Sequence, residues 1–215
     1  MTHCTRYRQL GIISSVALLL LTASCNGIYD GLYDEPDGSA ALGYGFRTPG
    51  SDGIGEIQID ARDYTHWCLI DLHRQTVDTL SVYATSCPDT WDLAIHRYDV
   101  KTHGGAATTI DGDLLSVDSD ADRSWTLQPD TDGTVVVDMS TMMEGYVTRI
   151  PATINRVLSG WISVDTTIMP PIYSLSGKVY LVRLADSSLA ALQFTSYMDD
   201  RAVRGIVTIR YRYPL

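Results

Sequence analysis

The sequence predicts an all-β domain, an antiparallel β-sandwich or open barrel-like fold with one short helix, and three observations carry that prediction. Short runs of alternating apolar and polar residues recur from residue 56 onward, separated by Gly, Pro and Asp turns. Only one segment has helical periodicity, and no repeat of fixed length is visible. The clearest run closes the chain: Val207, Ile209, Tyr211 and Tyr213 alternate with Thr208, Arg210 and Arg212, which makes one face apolar and the other polar and cationic. At 215 residues and 45% hydrophobic content, the chain can bury one good-sized core.

The chain begins with an address rather than with structure. Arg6 and Arg8 precede an apolar run over residues 10–21, too short for a comfortable membrane span of about 20 residues. Thr22, Ala23 and Ser24 then lead into Cys25. This is the layout of a bacterial lipoprotein signal, so residues 1–24 are expected to be removed and Cys25 to carry lipid that anchors the chain to a membrane. Residues 25–53 are rich in Gly, Asp and Tyr without sustained periodicity and read as a flexible tether; residues 54–215 read as the folded domain. Cys4 leaves with the signal, and Cys68 and Cys87 remain in an oxidising compartment, either as a disulfide or as two small buried hydrophobes.

Within the domain, strands are expected at residues 56–60, 67–73, 77–84, 91–101, 113–117, 134–138, 178–184, 189–196 and 204–213. The densest run, residues 91–105, places Trp91, Leu93 and Ile95 on one face and Asp92, His96 and Tyr98 on the other, and Gly104 and Gly105 end it. The exception to the β pattern is residues 151–161. Ile154, Val157, Leu158 and Trp161 have i, i+3, i+4, i+7 spacing, Pro151 suits a first turn and Gly160 a C-terminal cap, so a helix of about two turns is expected there.

The formal net charge is −10, and becomes −12 once Arg6 and Arg8 leave with the signal; a nucleic-acid partner is excluded on that ground, because phosphate binding needs a basic surface. Asp118, Asp120 and Asp122 open with calcium-loop spacing, but Arg123 stands where Gly is needed and Pro129 where a bidentate Glu should be, so the stretch reads as a solvated loop. No nucleophile elbow, HExxH or phosphate loop is present, and the protein is not expected to be an enzyme. His66, His73, His96 and His103 lie on or beside strands as framework residues. Methionine is distributed less ordinarily: Met139, Met142 and Met143 crowd one stretch, and Met169 stands in a proline-stiffened loop. On spacing alone these are either core gap-fillers or thioethers from two loops that ligate a soft metal centre, with haem iron and copper as candidates.

Three stretches, WDLAIHRYDVKT, GWISVDTTIMPPIYSLSGKVYLVR and LQFTSYMDDRAVRGIVTIRYRYPL, occur in an order that resembles the HmuY family of surface haemophores, over roughly residues 54–215. The resemblance implies a HmuY-type fold with two ligand-binding finger loops holding haem (iron-protoporphyrin IX). It also implies a lipoprotein exposed on the outer membrane that takes haem from host haem proteins and delivers it to a TonB-dependent receptor for iron acquisition. The family's founding pattern places one axial histidine on each finger. Here Thr166 occupies the second position and no histidine lies near the first, so the resemblance is to methionine-ligating members, with Met169 and either Met142 or Met143 on the iron. Tyr146, Ile168, Pro170 and Tyr173 would wall the macrocycle and Arg149 would meet a propionate. Two other readings remain: a β-sandwich surface lipoprotein that binds a protein or glycan partner without haem, and a thioether site for Cu(I).

Overall fold

The computed structural model describes residues 44–215, apart from 48, 50–52, 104, 111, 118–124 and 185. The signal segment, Cys25, most of the expected tether and the Asp118–Asp122 cluster lie outside the described residues. The fold is all-β. A seven-stranded antiparallel sheet has the order β1-β2-β15-β14-β13-β7-β8, built from Gly45–Arg47, Gly55–Asp60, Arg204–Arg212, Leu189–Met198, Val179–Arg183, Ala106–Ile110 and Gln128–Pro129. A four-stranded sheet, β4-β3-β5-β6, uses Thr76–Ser81, His66–Asp71, Leu93–His96 and Asp99–Thr102. Two further hairpins stand apart as two-stranded sheets: β9 (Thr131–Asp138) with β10 (Thr148–Ile154), and β11 (Ile162–Asp165) with β12 (Ile172–Leu175).

The main core lies between the two larger sheets, as the period-2 alternation of strands requires. Cys68 and Ile70 of β3, with Leu93 and Ile95 of β5, meet Ile57 and Ile59 of β2, Val182 of β13, Leu192 and Phe194 of β14 and Val207 and Ile209 of β15. The alternate residues of β3, Trp67 and Leu69, point the other way and pack with Val135 and Val137 of β9 and Ile154 of β10, so the β9–β10 hairpin covers the outer face of the smaller sheet. On the far side of the larger sheet, Val179 and Leu181 of β13 and Leu189 and Ala191 of β14 pack with Ile54, Leu114 and Val117. Thr208 is buried along with its apolar neighbours on β15, where the sequence pattern suggested a polar, exposed face; its Oγ1 accepts from Gln58 Nε2 of β2 at 3.3 Å.

Several expected elements take a different form. Residues 91–101 are not one strand. The chain turns at Arg97, with φ of +55°, so that His96 pairs with Asp99 in a tight β5–β6 hairpin. The turn is held by the Arg97 guanidinium, which donates to the Arg62 carbonyl at 3.1 Å and lies 4.4 Å over the Tyr64 ring. The expected helix over 151–161 is the end of β10 followed by one 3-10 turn, Leu158–Trp161. Its helical spacing arises because Ile154, Leu158 and Trp161 are all buried where the chain passes from hairpin to core. Pro151 is tolerated in β10 because that strand pairs only with β9. Residues 113–117 form a 3-10 turn, Leu114–Ser116, rather than a strand. Gly45–Arg47, placed in the tether by composition, instead pairs with β2 as an edge strand. Cys68 and Cys87 are free thiols: Cys68 is buried and its thiol donates to the Asp60 carbonyl at 3.1 Å, while Cys87 is exposed.

Candidate functional site

The two isolated hairpins carry the residues that the sequence singles out. In the β9–β10 connection, residues 139–147, the backbone turns on itself. The Ser140 amide donates to Asp138 Oδ1 at 2.8 Å, the Met142 amide to the Met139 carbonyl at 2.9 Å, and the Tyr146 amide to the Thr141 carbonyl at 3.2 Å. Met142–Glu144 form a 3-10 turn that Gly145 closes with φ of +88°, a conformation that suits a residue without Cβ. Consecutive residues of a 3-10 turn point about 120° apart. Met142 and Met143 therefore cannot serve the same direction: Met142 is half-buried, whereas Met143 and Tyr146 are exposed.

The β11–β12 connection, residues 166–171, opens with an Asx turn in which Asp165 Oδ1 accepts from the Thr167 amide at 2.9 Å and hydroxyl at 2.6 Å; these bonds hold the Asp165 carboxyl below its ordinary pKa. Ile168 and Met169 are exposed beyond it, and Pro170 is exposed next to them, joined by a cis Met169–Pro170 peptide. Asp165 pairs with Ile172 to close the loop. The sequence predicts a proline-stiffened loop here; the structure instead makes it a hairpin of two four-residue strands, too short for their alternation, Ile162/Val164 and Tyr173/Leu175, to stand out beside the prolines.

Arg149 and Tyr173 lie not at the tips but on the stems. Arg149 is exposed on β10, beside an irregularity in the β9–β10 register. Tyr173 is half-buried on β12 and stacks on Tyr197 of β14, with ring centroids 5.2 Å apart. What links the stems is the β5–β6 turn. Tyr98 is close enough to Arg149 and to Tyr173 to feel both electrostatically, and burial together with the neighbouring Asp99 raises its phenol pKa. Burial pushes the Asp99 carboxyl up to about 6, partly offset by Arg149. Tyr98, Asp99, Tyr197 and Arg204, which lies over the Tyr173 ring at 5.0 Å, were not singled out by sequence reasoning. Nothing in the local pattern marks them, since the β5–β6 turn that carries Tyr98 and Asp99 is about a hundred residues in the chain from Tyr197 of β14 and Arg204 of β15.

The four histidines of the described residues belong to the framework. His96 is fully buried and its Nε2 lies 2.8 Å from the Tyr64 carbonyl; burial lowers its pKa. His103 stacks on Trp91 at 4.6 Å and its Nδ1 lies 3.0 Å from the Trp91 carbonyl. His66 contacts Asp63 at 2.8 Å and His73 contacts Asp186 at 2.9 Å. Among the described residues, no group of three or more His, Cys, Asp or Glu could hold a metal ion.

The sequence model of the HmuY protein family matches residues 63–211. This chain belongs to the HmuY family. A solved structure from Bacteroides vulgatus, described as a candidate HmuY-like haem-binding protein, is 40% identical, covers 80% of this chain and 98% of its own, and superposes with a TM-score of 0.68. One from Bacteroides fragilis, described as a candidate lipoprotein, is 39% identical over 82% of this chain and 98% of its own, with a TM-score of 0.70. The apo HmuY analogue of Tannerella forsythia, at 23% identity over 73% of this chain and 93% of its own and a TM-score of 0.60, shares the fold. A comparison with curated proteins returned no match.

Proposed function

We propose that this HmuY-family protein binds haem at the tips of its β9–β10 and β11–β12 hairpins, with the iron held by Met169 and by Met142 or Met143. The observation that carries this reading is where the protein exposes apolar surface. Of the nine large apolar side chains exposed among the described residues, six lie on these two hairpins: Met143, Tyr146, Ile168, Met169, Ile172 and Leu175. Such clustering marks a binding surface rather than scattered exposure. The residues fit an iron porphyrin, since exposed thioethers supply soft axial donors while Tyr146, Ile168, Pro170 and Tyr173 offer apolar and aromatic walls. Bound haem would supply the redox and coordination chemistry of its iron; the chain supplies neutral thioether ligands, which donate weakly to ferric iron and favour the ferrous form.

The role is binding rather than catalysis, a reading that family membership supports. As a lipoprotein anchored through Cys25 on the outer membrane, the protein would take haem from host haem proteins and pass it to a TonB-dependent receptor. Likeness to a candidate lipoprotein supports the anchor. Among the described residues no helix is long and apolar enough to cross a membrane.

The test is titration of the soluble domain with haem, in air and under dithionite, for the parent and for Met142→Ala, Met143→Ala and Met169→Ala. Met169→Ala is expected to shift the Soret band and weaken reduced-haem binding by at least about tenfold, and one of the other two to do the same. Unchanged spectra and affinities in all three variants would refute the ligand assignment. Absence of any haem spectrum in the parent would favour a surface module for a protein or glycan partner.

A further inference from the structure

Both candidate hairpins spring from one short connector, residues 155–161, and that connector is fastened to a single strand. β6 is an edge strand of the smaller sheet, so the backbone groups on its outer side need partners from elsewhere. The Val100 carbonyl accepts from the Asn155 amide at 2.7 Å, and the Val100 amide donates to Ser159 Oγ at 2.9 Å. The Thr102 amide donates to Asp130 Oδ2 at 2.7 Å, while Asp130 Oδ1 accepts from the Thr102 hydroxyl at 2.8 Å and from Asn155 Nδ2 at 2.9 Å. Asp130 immediately precedes β9 and Asn155 immediately follows β10, so this pair joins the two strands at the root of the first hairpin and ties that root to β6. At the other end of the connector, Trp161 donates through Nε1 to the Tyr98 carbonyl at 3.0 Å. Its own carbonyl accepts from the Ser176 amide, just past β12, at 2.7 Å, which closes the root of the second hairpin. Asn155 and Trp161 are fully buried, and Thr102 nearly so.

We infer that Asp130, Asn155 and Ser159 are positioning residues: hung on β6, they hold the β9–β10 and β11–β12 hairpins at a fixed separation, so that thioethers from the two tips reach one metal. The inference rests on the haem reading and adds to it the part of the chain that sets the span of the site. A hairpin acts as a lever. An eight-residue strand such as β9 runs about 27 Å, so a tilt of about 5° at its root moves its tip by about 2 Å. A ligating geometry has to be held to about 0.5 Å. Packing of Val135, Val137 and Ile154 on Trp67 and Leu69 presses the first hairpin onto the smaller sheet, but apolar contact is non-directional. The hydrogen bonds of the root therefore decide where along β6 the hairpin stands and at what angle.

Reduced-haem affinity and the Soret band are measured under dithionite for Asp130→Asn and Ser159→Ala, each made in the parent and in the Met169→Ala background. In Asp130→Asn, whichever way the new side chain turns, an amide N–H faces either the Thr102 amide or the Asn155 amide; Ser159→Ala leaves the Val100 amide without its acceptor. Each substitution is expected to weaken binding about three- to tenfold in the parent, the worth of one lost hydrogen bond carried to the site, and to move the Soret band toward that of Met169→Ala. In the Met169→Ala background, where one thioether fewer has to be placed, the same substitutions should change affinity by less than about twofold. A merely structural role would weaken both backgrounds alike. Folded variants that bind as the parent does, or losses of equal size in both backgrounds, overturn the positioning role while leaving the axial ligands standing. Where circular dichroism shows one variant unfolded, the other decides. Absence of any haem spectrum in the parent, or Met169→Ala binding as the parent does, overturns the haem reading and this inference with it.

Discussion

Asp99→Asn should stabilise the protein at neutral pH and lose most of that advantage in mild acid. Asp99 is half-buried at the β5–β6 turn, with no side-chain hydrogen bond or ion pair among the described residues, and burial raises its carboxyl from the ordinary 3.8 to about 6 despite Arg149. A carboxyl raised in the folded state binds protons more readily folded than unfolded. Its ionisation therefore costs stability as pH rises from about 4 to about 6, and the full cost is present above 6. At about 1.4 kcal/mol per pKa unit, the cost is about 3 kcal/mol at pH 7.5, falling to about 1 kcal/mol at pH 4.5, where the folded carboxyl is protonated and the unfolded one still ionised. Removing the charge by Asp99→Asn should thus raise the unfolding free energy by up to about 3 kcal/mol at pH 7.5 and by about 1 kcal/mol at pH 4.5. Urea unfolding of parent and variant at both pH values measures the two differences directly, and the variant-minus-parent comparison cancels carboxyls such as Asp63, whose lowered pKa gives the opposite pH trend. A gain of equal size at both pH values, or a loss at pH 7.5, would refute the account of Asp99. A carboxylate kept at such a cost is the kind of strain that functional sites carry.

Trp161→Ala should destabilise the domain by about 3–5 kcal/mol in urea unfolding, because the indole is fully buried, stacks on Phe194 at 4.5 Å and donates through Nε1 to the Tyr98 carbonyl at 3.0 Å; a loss below about 1 kcal/mol would contradict that packing. Thiol titration of the folded domain from residue 44 onward with a charged disulfide reagent should find one reactive group, Cys87, which is exposed, and a second only on unfolding, since burial pushes the Cys68 thiol up to about 12; two fast-reacting thiols, or none, would count against the assignment.

Much of the architecture is legible in local pattern because strand residues must alternate between core and solvent wherever a sheet has one buried face. The C-terminal strand and residues 178–184 and 189–196 correspond to β15, β13 and β14, although most of their residues are buried on both faces of the sheet. Pattern misleads where burial comes from a third element. Residues 151–161 look helical because the passage from β10 into the 3-10 turn buries residues at helical spacing, and residues 91–101 look like one strand because the turn between β5 and β6, at Arg97 and Tyr98, contains no Gly or Pro. The same is true of the site. Met142, Met143 and Met169 stand out in the sequence because large apolar side chains are uncommon in polar loops, and they are found on the hairpin tips, half-buried or exposed.

What the sequence by itself determined was the all-β class, the family and the unusual placing of methionines, all of which depend on residues near one another in the chain. Only the tertiary structure decided that two hairpins form sheets apart from the larger ones, and that Tyr98, Tyr173, Tyr197 and Arg204 come into ring and cation–π contact. The physical reason is that strand pairing and burial against a distant sheet are set by contacts as much as about 150 residues apart, as between β2 and β15, and no local period encodes which side chains those contacts will bring together.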